Sequence, residues 1–236
     1  MSANLMIVED DTRVRDALRL AMEDEGYAVA EAGEVAHALD QLRTNGVPDV
    51  MIVDLMIDET DGFDCIREIR RDHDVPIIVV SARDDTHDVV AALEAGADDF
   101  LAKPFEIKEM TARMRALRRR AGFAAERSEH REQVLDADPE RPLVLVPAAG
   151  AVRRGDEELH LTLTEFRLLC ELAETPGRVL SRQTLLENVW EKGFFGDERI
   201  VDVHMRRLRT KIERDPSDPR IVVTVRGLGY RLDIRR

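Results

Sequence analysis

The sequence holds only two cysteines in 236 residues, Cys65 and Cys170, one in each half and at no metal-ligand spacing. That argues against a disulfide framework or a thiolate zinc site, and two reduced thiols are the expected state. Long apolar runs are missing too, so no segment reads as a membrane span and no membrane partner is expected. The first residues pass directly into a strand pattern without a basic-then-apolar leader, which predicts a cytoplasmic protein. Internal repeats and low-complexity tracts are also lacking.

What the chain has is charge. Charged residues make up 35% of it against 44% hydrophobic, with a formal net charge of −13. The length suits two domains, each with its own core. The sign of the charge is uneven: residues 1–121 carry about 15 basic side chains against about 27 acidic ones. From Arg206 onward about 10 basic residues face about 4 acidic ones. Basicity confined to one end of an acidic chain points to local attraction to a polyanion.

The first half alternates apolar runs with amphipathic stretches. Leu5–Val8, Tyr27–Ala30, Val50–Val53, Pro76–Val80 and Asp99–Ala102 read as five short strands. Between and after them, spacings of three and four predict five helices, with Gly26, Asn45-Gly46 and Gly96 as stops. This pattern predicts a doubly wound, flavodoxin-like α/β domain on a five-stranded parallel sheet. Right-handed crossovers bring the carboxyl end of every strand to one rim, where ligands of such sheets bind. That rim would gather Glu9, Asp10, Asp54, Ser81 and Lys103.

Three carboxylates gathered there repel one another unless a cation lies between them. Mg2+ suits them, since it binds through one or two carboxylates and keeps waters for phosphate oxygens; Ca2+ or a purely structural site is the second choice. A carboxylate can also attack a phosphoryl group, with Lys103 balancing the added charge and Ser81 donating to it.

Glu9-Asp10, Asp54, Asp61-Gly62, Ser81-Ala82 and Lys103-Pro104-Phe105 together resemble the receiver domain of two-component response regulators. The resemblance implies that Asp54 accepts a phosphoryl group from a sensor histidine kinase. It implies Mg2+ held by Asp10, Asp54 and the Met56 carbonyl, with Glu9 acting through water. Phe100 matches the aromatic that turns inward as Ser81 moves onto the phosphoryl group. Asp99, Glu109 and Arg113 match a homodimerisation face, although Val89 stands where the family carries a basic residue. A second departure is Asp58-Glu59 in place of the family's proline and glycine, which adds negative charge beside the site.

Residues 122–141 lose apolar periodicity and read as a linker between a domain at 1–121 and another at 142–236. In the second domain, strands are predicted at 143–146, 151–153 and 158–161. A helix follows, with Thr164 as its N-cap, and then a second helix from Ser181. The third runs from Glu198 to Ile212. Val201, Met205, Leu208 and Ile212 form its buried stripe, which leaves Asp202, Val203, Arg206, Arg207, Arg209 and Thr210 outward. A mostly basic helix face after a helix and turn suits contact with DNA phosphates and base edges.

Leu163-Thr-Glu-Phe166, Val201-Asp-Val-His204, Arg206-Arg-Leu-Arg209 and Thr224-Val-Arg-Gly-Leu-Gly-Tyr230 resemble the winged-helix output domain of the OmpR/PhoB family, an α+β winged helix-turn-helix. The resemblance implies that Arg207 and Arg209 contact the major groove and Arg226 the minor groove of promoter DNA. Val203, Arg206, Thr210 and Thr224 complete the DNA face, and the loop at 193–196 is implied to touch RNA polymerase. The expectation is a transcription regulator that dimerises on phosphorylation, with no catalytic activity beyond self-phosphotransfer. A regulator binding DNA without phosphorylation is the alternative. A phosphatase with an aspartyl intermediate would need a carboxylate two residues past its nucleophile, where Met56 stands.

Overall fold

The computed structural model describes residues 2–57, 60–118, 132–190 and 198–235. The chain splits into two compact units, Met1–Arg118 and Arg119–Arg236. In the first, β1 (Ala3–Val8), α1 (Thr12–Asp24), β2 (Tyr27–Ala32), α2 (Val35–Thr44) and β3 (Val50–Asp54) follow one another. A short ladder, β4 (Met56–Ile57) and β5 (Thr60–Asp61), then leads into α3 (Gly62–Asp72). The unit ends with β6 (Ile77–Ser81), α4 (Thr86–Ala95), β7 (Asp99–Ala102) and α5 (Ile107–Arg118).

The sheet order is β2-β1-β3-β6-β7, and each adjacent pair is parallel. All five expected strands are present. The order reverses beside β1, and Glu9 and Asp54 lie at the ends of the adjacent strands β1 and β3. Every residue of β3 and β6 is buried, as β-branched runs covered by helices on both faces should be. Asp11 and Asp85 cap α1 and α4 by accepting backbone N–H groups of the first turn. Gly62 is required by crowding: a Cβ there would lie 2.5 Å from Leu55 Cα and 2.6 Å from the Asp54 carbonyl oxygen. Helix α3 therefore starts in direct contact with the backbone that carries Asp54.

The second unit opens with β8 (Gln133–Asp136), β9 (Leu143–Val146), β10 (Ala151–Arg154) and β11 (Glu157–Glu158), an antiparallel four-stranded sheet. Strand β8 corrects the expected linker at 122–141: Leu135 and Asp136 are buried, and the strand pairs with β9. With only Val134 and Leu135 apolar, between Gln133 and Asp136, and a register shift between Val134 and Asp136, it is too short to show a strand period in the sequence. Residues 119–131 lie outside the described residues.

Three helices follow: α6 (Leu163–Glu174), α7 (Arg182–Trp190) and α8 (Arg199–Ile212). The N-cap of α6 is Thr162 and not Thr164, because Thr162 forms a reciprocal capping box with Glu165. The strand expected at 158–161 is confined to Glu157–Glu158. Strands β12 (Val179–Leu180), β13 (Val222–Val225) and β14 (Gly229–Leu232) form an antiparallel sheet in the order β12-β14-β13. The β13–β14 hairpin is the wing. No helix among the described residues is long and apolar enough to cross a membrane.

Candidate functional site

The carboxyl rim of the parallel sheet brings together residues far apart in sequence. Asp54 and Glu9 are 4% and 2% exposed, and Ser81 is fully buried. Lys103 Nζ donates to Asp54 Oδ2 at 2.6 Å and to Glu9 Oε2 at 2.8 Å. The Met56 N–H donates to Asp54 Oδ1 at 3.0 Å. Burial pushes the Glu9 carboxyl up to about 7, against the Lys103 hydrogen bond and with the help of the Asp54 charge. Burial pulls the Lys103 ammonium down, but its hydrogen bonds to Asp54 and Glu9 outweigh that and leave it raised. Lys103 is therefore a fixed positive charge between two buried acids.

The remaining rim residues are placed less tightly. Ser81 Oγ accepts the Arg83 N–H at 3.1 Å. Asp10 is partly buried, and its Oδ1 accepts the Asp11 N–H at 2.8 Å. Phe100 is half-buried and pairs with Val79 across β6 and β7. Arg15 was not foreseen: its Nη1 donates to the Glu9 and Asp10 carbonyls at 2.6 and 3.1 Å, pinning the acidic loop. Nothing local in the sequence marks an arginine five residues downstream as the clamp of that loop.

Among the described residues, the cluster whose carboxylate and imidazole ligand atoms lie within 4.8 Å of one another is Asp85, His87 and Asp88, of which the first two are exposed and Asp88 is half-buried. That cluster is the capped start of α4. Glu9, Asp10 and Asp54 are not drawn together so closely. They nevertheless fit Mg2+ in kind, being hard oxygen donors with two buried carboxylates that share a single lysine. That ion needs only one or two carboxylates besides its waters. Asp58 and Glu59, the departure noted from sequence, lie outside the described residues.

Asp99, Glu109 and Arg113, expected to reach across a dimer, pair within the chain. Arg113 Nη1 donates to Asp99 Oδ1 and Oδ2 at 3.0 and 2.9 Å, and Nη2 donates to Glu109 Oε1 at 2.7 Å. Asp99, the first residue of β7, is buried, and desolvation raises its pKa against the pull of Arg113. A buried carboxylate needs a paired cation, and within the single chain Arg113 of α5 supplies it.

In the winged unit, Val201, Met205, Leu208 and Ile212 form the buried stripe of α8. Val203, expected outward, is buried as well, because α8 packs on both α6 and α7 and its apolar arc widens. Arg206 and Thr210 are exposed, as are Thr224 and Arg226 on the wing. Arg207 is ion-paired to Glu165 at 3.1 Å. Arg209 Nε donates to the Val222 carbonyl at 2.8 Å, and its Nη2 donates to Thr224 Oγ1 at 2.7 Å. Arg209 thus ties the helix to the wing.

Three further residues, not foreseen, complete this frame. Tyr230 Oη donates to Asp202 Oδ1 at 2.6 Å, and Arg182 Nε donates to the same oxygen at 2.7 Å. The guanidinium groups of Arg182 and Arg209 lie 5.2 and 5.3 Å from the Tyr230 ring centroid. The loop at 193–196 lies outside the described residues.

Comparison with known proteins agrees with this geometry. Residues 5–115 match the family described as response regulator receiver domain, and residues 156–232 match transcriptional regulatory protein, C terminal. The transcriptional regulatory protein AfsQ1 of Streptomyces coelicolor is 44% identical over 230 residues, covering 98% of each chain. The DNA-binding response regulator MtrA of Mycobacterium tuberculosis is 41% identical over 231 residues, covering 98% of this chain and 97% of its own. A solved structure of a cysteine mutant of RitR superposes with a TM-score of 0.76 at 26% identity, covering 98% of this chain and 99% of its own.

Proposed function

We propose, from the premise that this chain belongs to the OmpR/PhoB winged-helix family of two-component response regulators, that Asp54 is its phosphoryl acceptor. As a member the chain is a DNA-binding transcription regulator and not a classical enzyme. The observation that carries the reading is the Lys103 ammonium lodged between the buried carboxylates of Asp54 and Glu9. It makes Asp54 a desolvated oxygen nucleophile with a fixed cation beside it.

In the proposed step, an Asp54 carboxylate oxygen bonds to phosphorus while the P–N bond to the kinase's histidine breaks, and the leaving imidazole takes up a proton. Lys103 then balances the added charge, and Ser81 donates its hydroxyl hydrogen to a phosphoryl oxygen. Phe100 follows Ser81 inward. Glu9, Asp10, Asp54 and the Met56 carbonyl would hold Mg2+, which supplies positive charge to the phosphoryl oxygens when bound. The phosphorylated receiver, in a state already sampled before modification, dimerises through the surface carrying Asp99, Glu109 and Arg113.

Two output domains, tethered by that dimer, then bind paired promoter half-sites in the cytoplasm and engage RNA polymerase. Supporting residues are Arg206, Thr210, Thr224 and Arg226, exposed on α8 and the wing, with Arg207, Arg209 and Val203 in the frame behind them. The domain limits proposed are 1–121 and 142–236, with β8 added to the second.

Intact mass after incubation with Mg2+ and a small phosphodonor tests the switch. A phosphoryl gain in the wild type and none in Asp54→Ala is expected. Gain in both would move the acceptor elsewhere, and gain in neither, with a cognate kinase also inert, would leave a regulator that works without phosphorylation.

A further inference from the structure

The connection from β1 to α1 carries two acids of the rim, and one side chain holds its backbone. Arg15 Nη1 donates to the Glu9 carbonyl at 2.6 Å and to the Asp10 carbonyl at 3.1 Å, and Nη2 donates to Thr12 Oγ1 at 3.4 Å. The guanidinium is itself confined. Its Nε lies 3.6 Å from Glu31 Oε1, and the Arg15 side chain is only 17% exposed. Gly33, in the turn from β2 to α2, stands beside it, and a Cβ there would come within 3.1 Å of Nη1. The missing side chain at Gly33 leaves the guanidinium its place.

A peptide group is planar, so tying down its carbonyl fixes the plane and with it the direction of the flanking Cα–Cβ bonds. The Glu9 carbonyl belongs to the peptide before Asp10, and the Asp10 carbonyl to the peptide after it. Arg15 therefore fixes both planes that flank Asp10. The Glu9 carboxylate has Lys103 to hold it at the rim. The Asp10 carboxylate is half-buried, and its Oδ1 accepts the N–H of the next residue of the same loop, so its direction follows the main chain.

We propose that Arg15 is a positioning residue for the rim's divalent cation, one that presets the Asp10 carboxylate and so raises affinity for Mg2+. This rests on the reading of Asp54 as acceptor given above. The bonds from Arg15 to this loop reach main-chain carbonyls and not carboxylates, so its effect passes through the backbone. Its charge acts the other way, because a neighbouring cation by itself opposes the binding of a second one. Position and charge thus predict opposite signs for its removal.

Mn2+ stands in for Mg2+ as the probe, since the same oxygen ligands suit both. Free Mn2+ is counted by its EPR signal in titrations of the full chain, well below the Tm of each variant. Arg15→Met is expected to bind Mn2+ about tenfold more weakly, the low end for residues that orient a metal ligand. Arg15→Lys, which keeps the charge and a donor group, should recover part of that loss. Tighter or unchanged binding by a folded Arg15→Met protein would overturn the proposal.

If Arg15→Met does not fold, Gly33→Ala decides. The φ of Gly33 lies outside the left-handed region, so alanine suits the backbone, while its methyl group crowds the guanidinium and leaves every charge in place. Mn2+ binding weakened about twofold or more supports the role, and unchanged affinity overturns it. A wild type that binds no Mn2+, or binding that Asp54→Asn leaves untouched, is a different result: it sinks the acceptor-site reading and this role together.

Discussion

At the scale of single residues, the lysine at the sheet rim compensates two acids at once. Lys103→Met leaves Glu9 and Asp54 buried without their cation. Breaking a buried pair costs several kcal/mol, and the partial exposure of Lys103 reduces this to about 1–3 kcal/mol. The expected result is a lower Tm in metal-free buffer and a larger rise on adding Mg2+ than the wild type shows, read by thermal denaturation with and without chelator. Equal metal responses would contradict this assignment.

Tyr230 supplies a second residue-level expectation. Burial first, and then the Asp202 carboxylate, push its hydroxyl up to about 12. The folded chain thus keeps a proton that the unfolded chain loses near pH 10, so this group's contribution to stability is intact below that pH and is lost as pH rises from 10 toward 12. Tyrosinate absorbance in the wild type and Tyr230→Phe should show one late-titrating tyrosine that the substitution removes.

Elements show where the sequence was legible and where it was not. The five strands follow from apolar runs, and right-handed crossovers put their carboxyl ends on one rim, so the meeting of Glu9, Asp54, Ser81 and Lys103 could be foreseen. From sequence the cap of α6 falls at Thr164, directly before Glu165, whereas the backbone shows Thr162, three residues before Glu165, closing the box with it. Thr162→Ala should cost about 1 kcal/mol in a denaturant melt. Val203 was misplaced because a period of 3.6 predicts one buried stripe, while two packing partners bury more than one.

Gly62 looks from sequence like an ordinary helix start. Its actual constraint is the main chain of Asp54 and Leu55, which leaves no room for a methyl group. Gly62→Ala should destabilise the protein by about 1–3 kcal/mol through overpacking against the backbone, which cannot yield as a side chain can. Phosphoryl uptake at Asp54 should fall with it, and both can be followed on one sample by denaturation and intact mass.

Over the whole molecule, the charge asymmetry in the sequence corresponds to a division of labour. The acidic half forms the unit with the carboxylate rim, and the basic end forms the reading helix and wing. The pairs that set these surfaces, Arg15 with the acidic loop five and six residues before it and Glu165 with the distant Arg207 and Lys211, carry no motif that marks them in the sequence. Phosphorylated protein should sediment as a dimer. Glu109→Ala, which removes a half-exposed acid and spares the buried Asp99–Arg113 pair, should weaken that dimer several-fold without loss of fold.

The carboxylate of Asp202 takes hydrogen bonds from α7 through Arg182 and from the wing through Tyr230, while Arg209 stacks on the same ring. Helix and hairpin are thereby welded into one chassis whose angle to the duplex is set before any contact is made. On the DNA-binding reading proposed above, descendants of this chain can acquire new target sequences by exchanging the few tips that project from the chassis, such as Arg206, Thr210 and Arg226, as a key is recut without altering its bow. Paralogues diverging in this way would share one footprint length while differing in the letters they read.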